Sequence, residues 1–213
     1  MSVRLTNVRL LLLAALTSFF VLPGTASAEA PPLEGITLDV VSVNGSGCPP
    51  GTADVSMLPD GTGFRVVYRD FVARAGGSAN PVEFRKNCQL NVLVHVPQGF
   101  TFAIASADYR GRARLEAGAT ALQRTNYYFQ GSPDNNVADH TFAGPLFSGW
   151  QTSDYTPVTE LVYAPCGEYR SVNVNTELRV DPGSVNEGKV SSMSMRASDG
   201  NVDTIVHFQW KQC

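Results

Sequence analysis

The stretch SVNVNTELRV, residues 171–180, decides the predicted fold of this chain. Its apolar side chains fall on even-numbered positions from Val172 to Val180, and its asparagine, glutamate and arginine side chains fall on odd-numbered ones. A period of two is typical of a β-strand, because successive side chains of a strand point to opposite faces of the sheet. The stretch therefore predicts a strand with one face in the core.

The same alternation recurs along most of the chain, and helical periodicity is nearly absent. The predicted strands are Ile36–Val43, Ala53–Leu58, Phe64–Phe71, Cys88–Val96, Phe100–Ile104, Tyr109–Leu115, Ala119–Phe129, Thr156–Tyr163, Ser171–Val180, Lys189–Arg196 and Thr204–Trp210. Turn residues separate them at the spacing expected of all-β folds. We predict an all-β fold, a single antiparallel two-sheet β-sandwich, and the pattern does not distinguish a jelly-roll from an immunoglobulin-like arrangement.

Short turn sequences predict which strands pair. Pro97-Gln98-Gly99 predicts a hairpin between the strands on either side of it, and residues 59–63 predict another. Three segments lack the alternation. Residues 73–81 predict a loop, residues 181–187 a turn, and residues 131–154 the longest irregular stretch.

The first 28 residues have the composition of a secretory signal peptide. Arg4 and Arg9 form a basic segment before an apolar run. Small residues precede the cleavage site after Ala28, as a signal peptidase requires. The uncharged run at residues 10–22 is shorter than the roughly 20 residues of a membrane-spanning helix. We expect cleavage after Ala28, a short N-terminal segment at 29–32, a single β-sandwich domain at 33–213, and a secreted protein, extracellular or periplasmic, with no membrane span after cleavage.

Four cysteines in a secreted chain predict two disulfides. Their spacing excludes a zinc knuckle, since no Cys-x-x-Cys is present. Of the three possible pairings, Cys48 with Cys88 and Cys166 with Cys213 closes the smallest loops. We predict this pairing, a disulfide-stapled fold, and no metal or cofactor.

The charge balance excludes several partners. The predicted leader contains two of the 16 basic residues and none of the 19 acidic ones, so the remaining chain has a net charge of −5. Nucleic acids and anionic membranes prefer clustered Lys and Arg, so we predict neither as a partner. The basic clusters Arg110-Gly-Arg-Ala-Arg114 and Arg85-Lys86 are interpreted as solvated surface charge.

Several motifs, in a fixed order along the chain, resemble one secreted family. They are Gly47-Cys48-Pro49-Pro50-Gly51-Thr52, Arg85-Lys86-Asn87-Cys88-Gln89-Leu90, Asp108-Tyr109-Arg110-Gly111, Leu115-Glu116-Ala117-Gly118, Tyr127-Tyr128-Phe129-Gln130-Gly131, Gly144-Pro145, Pro165-Cys166-Gly167 and Trp210-Lys211-Gln212-Cys213. On these motifs the chain resembles the family called domain of unknown function 4360. The resemblance implies secretion and supports disulfides over metal. It carries over no catalytic residue.

Catalytic motifs are absent from the sequence. There is no Gly-x-Ser-x-Gly, no His-Glu-x-x-His and no P-loop. The oxygen-rich segment at residues 134–139 lacks the spacing of an EF-hand, so a Ca²⁺ site there is left open. The sequon at Asn44 matters only in a eukaryotic secretory pathway.

Polar and aromatic residues in two predicted strands give the candidate binding surface. Its residues are Asp108, Tyr109, Arg110, Tyr127, Tyr128, Gln130 and, from the irregular stretch, Trp150. A turn at residues 116–118 joins the two strands, so we expect them to be antiparallel neighbours whose side chains share one surface. The alternative is that Asp108 and Arg110 pair with each other and only make the strand soluble.

Two classes of function follow from these patterns. The first is a non-catalytic extracellular binding module or an envelope or structural protein, with a glycan or a surface protein as its partner. The second is an extracellular polysaccharide hydrolase or lyase, with carboxylates such as Asp108 and Glu116 brought together by folding. A flat aromatic surface favours binding, whereas two carboxylates in one cleft favour catalysis.

Overall fold

A computed structural model describes Ala30, Pro32 and residues 35–184, 188–195 and 204–213. The predicted signal peptide, 1–28, lies outside the described residues, as do residues 29 and 31 of the predicted segment at 29–32. Twelve strands are present in the described ranges. They are β1 (Thr37–Asn44), β2 (Ala53–Met57), β3 (Gly63–Tyr68), β4 (Val72–Ala75), β5 (Arg85–His95), β6 (Phe100–Leu115), β7 (Thr120–Phe129), β8 (Asn136–Ala143), β9 (Leu146–Tyr155), β10 (Ser171–Asp181), β11 (Ser191–Ser194) and β12 (Thr204–Gln212).

These strands form two antiparallel sheets. The five-stranded sheet has the order β1-β5-β10-β7-β8, and the seven-stranded sheet has the order β2-β3-β12-β6-β11-β4. Strand β9 pairs with β6 on the side opposite β12, so it is an edge strand. The predicted all-β, two-sheet sandwich is confirmed. Its strands outnumber the eight of a jelly-roll and the seven to nine of an immunoglobulin domain.

The inner faces of the two sheets meet in a hydrophobic core. The even-numbered apolar residues of β10, from Val172 to Val180, are buried there as predicted. Phe102 of one sheet packs edge-on against Phe129 of the other, with ring centroids 5.5 Å apart. The odd-numbered side of β10 is covered as well, because Asn173 accepts a hydrogen bond from Asn91 at 2.9 Å and Glu177 binds two arginines.

Both predicted disulfides are confirmed. The bridge Cys48–Cys88 has a Cα–Cα distance of 5.3 Å, and the bridge Cys166–Cys213 has one of 5.9 Å. The first is buried in the core, whereas both cysteines of the second are exposed. Each bridge closes a local loop, so the disulfides fasten two different regions of the sandwich.

The prediction of an irregular stretch at residues 131–154 is wrong, because most of it forms β8 and β9. The inner positions of these strands include Asn136 and His140 on β8 and Thr152 and Asp154 on β9. Because these inner positions carry polar side chains, the sequence does not show the alternation of apolar and polar residues that predicts a strand. The two strands lie at the edge of different sheets, and a cis Gly144–Pro145 peptide lies in the turn between them.

The predicted hairpin at Pro97–Gly99 is also wrong. Strand β5 pairs with β1 and β10, whereas β6 pairs with strands of the other sheet, so this turn crosses between sheets. The predicted strands at 100–104 and 109–115 are one continuous strand, β6. Residues 156–163 form a 3₁₀ turn at Val158–Glu160 instead of a strand, and the loop predicted from residue 73 begins inside β4. Within the described ranges, no helix is long and apolar enough to cross a membrane.

Candidate binding surface

The residues predicted to form one surface lie in two different sheets. Asp108, Tyr109 and Arg110 belong to β6, whereas Tyr127 and Tyr128 belong to β7, which pairs with β8 and β10. The expected pairing across residues 116–118 is therefore wrong, because that turn also crosses between the sheets. The inner residues of both strands are buried between the two sheets, including the polar Gln123 and Thr125 of β7.

Three of the predicted binding aromatics are core residues. Tyr109 is fully buried and Tyr127 and Trp150 nearly so, since all three point between the sheets. The Trp150 ring lies directly against the backbone of Gly111, where an added Cβ would come within 2.5 Å of it. Tyr128 is half-buried beside Asn135 in a shallow notch on the five-stranded sheet. The Gln130 side-chain carbonyl accepts a hydrogen bond from the Ser171 hydroxyl at 2.7 Å.

The outward side chains of β6 and β9 form an open surface, which we call the β6–β9 face. The two strands pair continuously from Ser106↔Tyr155 to Leu115↔Leu146. The face consists of Asp108, Arg110, Arg112 and Arg114 from β6 and Phe147, Gly149, Gln151, Ser153 and Tyr155 from β9. Of the residues predicted from sequence, only Asp108 and Arg110 belong to it.

An exposed aromatic side chain stands near each end of this face. Phe147 is 57% exposed and Tyr155 is 72% exposed. Eight residues of extended strand separate them, a span of about 27 Å. The Arg114 guanidinium lies over the Phe147 ring, 5.9 Å from its centroid. Sequence analysis did not select these two aromatics, because it did not recognise β9 as a strand and so could not assign its outward positions.

The carboxylate of Asp108 is held at one end of the face by two neighbours. The Ser153 hydroxyl donates a hydrogen bond to it at 2.5 Å, and Nε2 of His207 lies 3.1 Å from its second oxygen. The alternative prediction, a pair between Asp108 and Arg110, is therefore wrong. With a partner on each oxygen, the Asp108 carboxylate is held in one orientation and its hydrogen-bonding needs are already met.

The carboxylates proposed for catalysis are not brought together. Asp108 lies in the middle of the extended β6 and Glu116 directly follows its last residue, so the two are eight residues and about 27 Å apart along the strand direction. Glycosidases place their two carboxyl groups within roughly 10 Å of each other. Glu116 also binds Lys189, with 3.3 Å between Oε2 and Nζ. This pair of residues cannot act on one glycosidic bond.

A second histidine–carboxylate pair lies between the sheets. Nε2 of His140 is 2.5 Å from Oδ1 of Asp154, and both side chains are largely buried. Burial raises the pKa of Asp154 despite the opposing hydrogen bond with His140. Burial, assisted by the nearby Asp154 charge, also raises the pKa of Tyr127 well above its ordinary value. These groups line the sandwich interior and form part of its packing.

The acidic segment at residues 134–139 is engaged in an ion pair. Asp139 accepts two hydrogen bonds from the Arg124 guanidinium, at 2.6 and 2.5 Å. This contact lowers the pKa of Asp139, because the guanidinium stabilises the charged carboxylate. The part of the chain that the structure describes holds no group of three or more His, Cys, Asp or Glu side chains arranged for a metal ion.

A groove of about 360 Å³ lies at one end of the sandwich, near the exposed disulfide. Its lining includes the turn at 97–99 and the loop at 164–170. Tyr169 on that loop is 74% exposed and packs on His95, with ring centroids 5.7 Å apart. Arg170 is paired with Glu168 at 3.0 Å, so the charges of this loop are internally balanced.

Fold, disulfides and open face define the class of this molecule as a secreted, disulfide-stapled β-sandwich protein. A family model described as Domain of unknown function (DUF4360) matches residues 34–213, and the chain belongs to that family. An uncharacterized secreted protein from Arthroderma benhamiae is 32% identical over 191 residues, which cover 90% of this chain and 77% of that relative. The resemblance inferred from the sequence motifs is thus confirmed.

Proposed function

We propose that this protein is a non-catalytic extracellular binding module that holds an extended glycan along the β6–β9 face. The observation that carries the proposal is the pair of exposed aromatics, Phe147 and Tyr155, on one flat face of paired strands. The core takes up Tyr109, Tyr127 and Trp150, whereas Phe147 and Tyr155 remain exposed to solvent. Exposed aromatic groups rimmed by polar side chains are typical of interaction sites.

The groups between the two rings suit a hydroxyl-rich ligand. Gln151 supplies both a donor and an acceptor, and the Ser153 hydroxyl, which donates to Asp108, can still accept a hydrogen bond. Sugar rings present apolar faces to aromatic side chains and hydroxyls to such polar groups. The span of about 27 Å between the rings suits a chain of several sugars and not a single small molecule.

The lack of a carboxylate pair on this face supports binding without catalysis. Asp108 is the carboxylate among the outward residues of the face, and Ser153 and His207 already bind it. Hydrolysis of a glycosidic bond by the usual two-carboxylate mechanism needs a second acidic group opposite the first. A flat surface without a cleft also leaves the bound ligand in contact with water.

Binding to an array of extracellular polysaccharides tests this proposal. Tyr155→Ala and Phe147→Ala are each expected to weaken binding about tenfold, since each removes one stacking surface. Tyr169→Ala is the matched control, because Tyr169 is equally exposed but belongs to the loop at the groove end. Any polysaccharide that binds is then incubated with the protein, and no new reducing ends are expected.

Two results would contradict the proposal. If the protein binds no polysaccharide at any concentration tested, the glycan-binding role is wrong and a structural or protein-binding role takes its place. If the Tyr169→Ala variant loses binding while the Tyr155→Ala and Phe147→Ala variants keep it, the site is the groove and not the β6–β9 face.

A further inference from the structure

Three arginines form a straight row along the middle of the β6–β9 face. Arg110, Arg112 and Arg114 occupy alternate positions of β6, so all three point outward at intervals of about 7 Å. All three are exposed. Their positively charged groups repel one another when placed side by side.

The row is distinctive because no residue that the structure describes neutralises its charges. Within the described residues, these three guanidinium groups make no ion pair and no side-chain hydrogen bond. Every other described arginine makes one. The pairs are Arg65–Ser56, Arg69–Asp54, Arg74–Glu83, Arg85–Glu177, Arg124–Asp139, Arg170–Glu168 and Arg179–Glu177. A chain with more acidic than basic residues has carboxylates to spare, yet within the described residues Asp108, the carboxylate of the same face, binds Ser153 and His207 instead of the row.

The cross-strand neighbours of the row are neutral and leave it open. Arg110 lies opposite Gln151, Arg112 opposite Gly149, and Arg114 opposite Phe147. On the other side of β6, Ser192 lies opposite Arg114. These are positions where a glutamate would form a favourable cross-strand pair.

The backbone at position 149, opposite Arg112, does not require a glycine. Its φ lies outside the left-handed region, and an added Cβ would meet its nearest atom, the Gly111 carbonyl oxygen, at an ordinary 3.6 Å. A larger residue would therefore fit at this position. The glycine leaves the middle of the arginine row uncovered.

We propose, on the basis of the function proposed above, that the glycan held by the β6–β9 face is acidic, with carboxylate or sulfate groups bound by Arg110, Arg112 and Arg114. The planar guanidinium group pairs with such oxyanions through two parallel hydrogen bonds. Hydroxyl groups between the charges contact Gln151 and Ser192, and the end sugars stack on Phe147 and Tyr155.

A polyphosphate fits this surface less well than an acidic glycan does. The rest of the chain is acidic, with a net charge of −5 once the predicted leader is removed, and it repels a densely charged nucleic acid at long range. Nucleic acid affinity depends on many phosphate contacts, and a row of three arginines offers few. An acidic glycan has a lower charge density and presents hydroxyls that the neutral neighbours can bind.

The test measures binding of the full secreted protein to polygalacturonate, heparin and neutral dextran of matched length, by affinity electrophoresis and titration calorimetry. Polygalacturonate or heparin is expected to bind more tightly than dextran, and added salt is expected to weaken the binding. The triple variant Arg110→Gln, Arg112→Gln, Arg114→Gln is expected to lose affinity at least about tenfold. Arg65→Gln, on β3 of the same sheet, is the control and keeps full affinity.

A second variant tests the row without removing any arginine. Gly149→Glu places a carboxylate beside Arg112 and is expected to weaken binding to the acidic glycans by a similar factor, whereas Gly149→Gln changes size without charge and retains most of it. Circular dichroism and thermal unfolding check that each variant is folded. Loss of affinity in the triple variant with retention in Gly149→Glu would assign the arginines a structural role and overturn the inference.

The outcomes separate this inference from the function on which it rests. Binding of dextran through Tyr155 with no preference for polygalacturonate or heparin overturns the inference and leaves the proposed glycan-binding function intact. Binding of none of the three removes both. Tighter binding of a duplex DNA fragment than of either acidic glycan at the same salt concentration overturns the inference in favour of a polyphosphate ligand.

Discussion

Glu177 is the most heavily engaged carboxylate on the outer side of the five-stranded sheet. Arg85 donates from Nε at 2.6 Å and Arg179 donates from Nη2 at 2.7 Å. Burial alone raises the pKa of Glu177, but the two hydrogen bonds and the two positive charges outweigh it, so the pKa lies below its ordinary value of 4.5. A lowered pKa means that the folded protein favours the charged form, which stabilises the fold above pH 4.5.

Replacing this residue is expected to remove a pH-dependent part of the stability. Glu177→Gln should lower the free energy of unfolding by about 1–2 kcal/mol at neutral pH, because two charge-assisted hydrogen bonds are weakened. As the pH falls from 4.5 through the lowered pKa, the wild-type protein loses this contribution and the two proteins converge. Urea unfolding at a series of pH values measures the difference. Glu168→Gln, at the exposed pair with Arg170, should change little.

At the residue scale, the sequence predicts which face of a strand a side chain takes and not what covers that face. The alternation around Arg110 correctly assigns it to the solvent side, and by the same rule the adjacent Tyr109 belongs to the core. Treating both as members of one surface contradicts the period of two. Tyr127 lies on the same face of β7 as Phe129, two residues further along. This shared inner face accounts for its burial.

The close packing of β6 against β11 and against the Trp150 ring depends on Gly111. At Gly111 an added Cβ would lie 1.9 Å from the Ser194 carbonyl oxygen and 2.5 Å from the Trp150 ring. Gly111→Ala is therefore expected to destabilise the protein by about 2–3 kcal/mol, because strand or ring must shift. Gly149→Ala, on the neighbouring strand with ordinary contacts, should stay within about 0.5 kcal/mol of the wild type.

Chemical unfolding of both variants decides this prediction. The two substitutions add the same methyl group to adjacent strands, so any difference between them comes from the space available and not from strand propensity. Equal stabilities would show that β11 and Trp150 can move away from β6 without cost. In that case the tight packing at Gly111 does not hold β6 in its place.

At the scale of elements, most strands could be predicted from the alternation of their apolar residues, whereas β8 and β9, with several polar residues at inner positions, could not. Strand β10 and strand β5 follow the alternation closely. Strand β8 was missed because His140 and Asn136 occupy inner positions, where they bind Asp154 and Thr156 across the gap between the sheets. Those partners lie in or directly after β9, which the sequence analysis did not recognise as a strand. No local pattern therefore shows that the polar residues of β8 have hydrogen-bond partners.

For the whole molecule, the two disulfides differ in their access to solvent. Cys48–Cys88 is buried, whereas Cys166 and Cys213 are exposed at the end of the sandwich. Mild reduction under native conditions is therefore expected to open Cys166–Cys213 alone. Alkylation followed by peptide mapping measures which cysteines are released. Opening of both bridges at the same rate would show that the core around Cys48 exchanges with solvent as fast as the surface does.

Loss of the exposed bridge is expected to cost stability without unfolding the sandwich. The bridge closes a loop of 47 residues, which corresponds to at most about 4 kcal/mol of chain entropy. The double variant Cys166→Ser, Cys213→Ser should therefore fold and unfold at a lower urea concentration. A variant that fails to fold would show that the C-terminal strand β12 depends on this bridge for its place between β3 and β6.

Sheet membership is the part of the whole fold that the sequence could not supply. The turns at 97–99 and 116–118 have the length and composition of hairpin turns, yet each carries the chain from one sheet to the other. The length and residues of a turn determine that the chain reverses direction. Whether the two strands then pair in one sheet or lie in different sheets depends on which other strands pair with each of them. For this reason the sequence places the candidate surface on β6 and β7. The strand that pairs with β6 at this surface is β9, which lies in the stretch predicted to be irregular.

The two tryptophans of the chain make its intrinsic fluorescence a reporter of the interior. Trp210 donates its indole N–H to the Gly61 carbonyl at 3.2 Å, and Trp150 packs on Phe142 behind the backbone of Gly111. Neither ring reaches the solvent side of β6 or β9. Light emission from this protein therefore records the opening of the sandwich and is insensitive to whatever settles on its outer face, so occupancy of that face has to be followed by mass, heat or mobility.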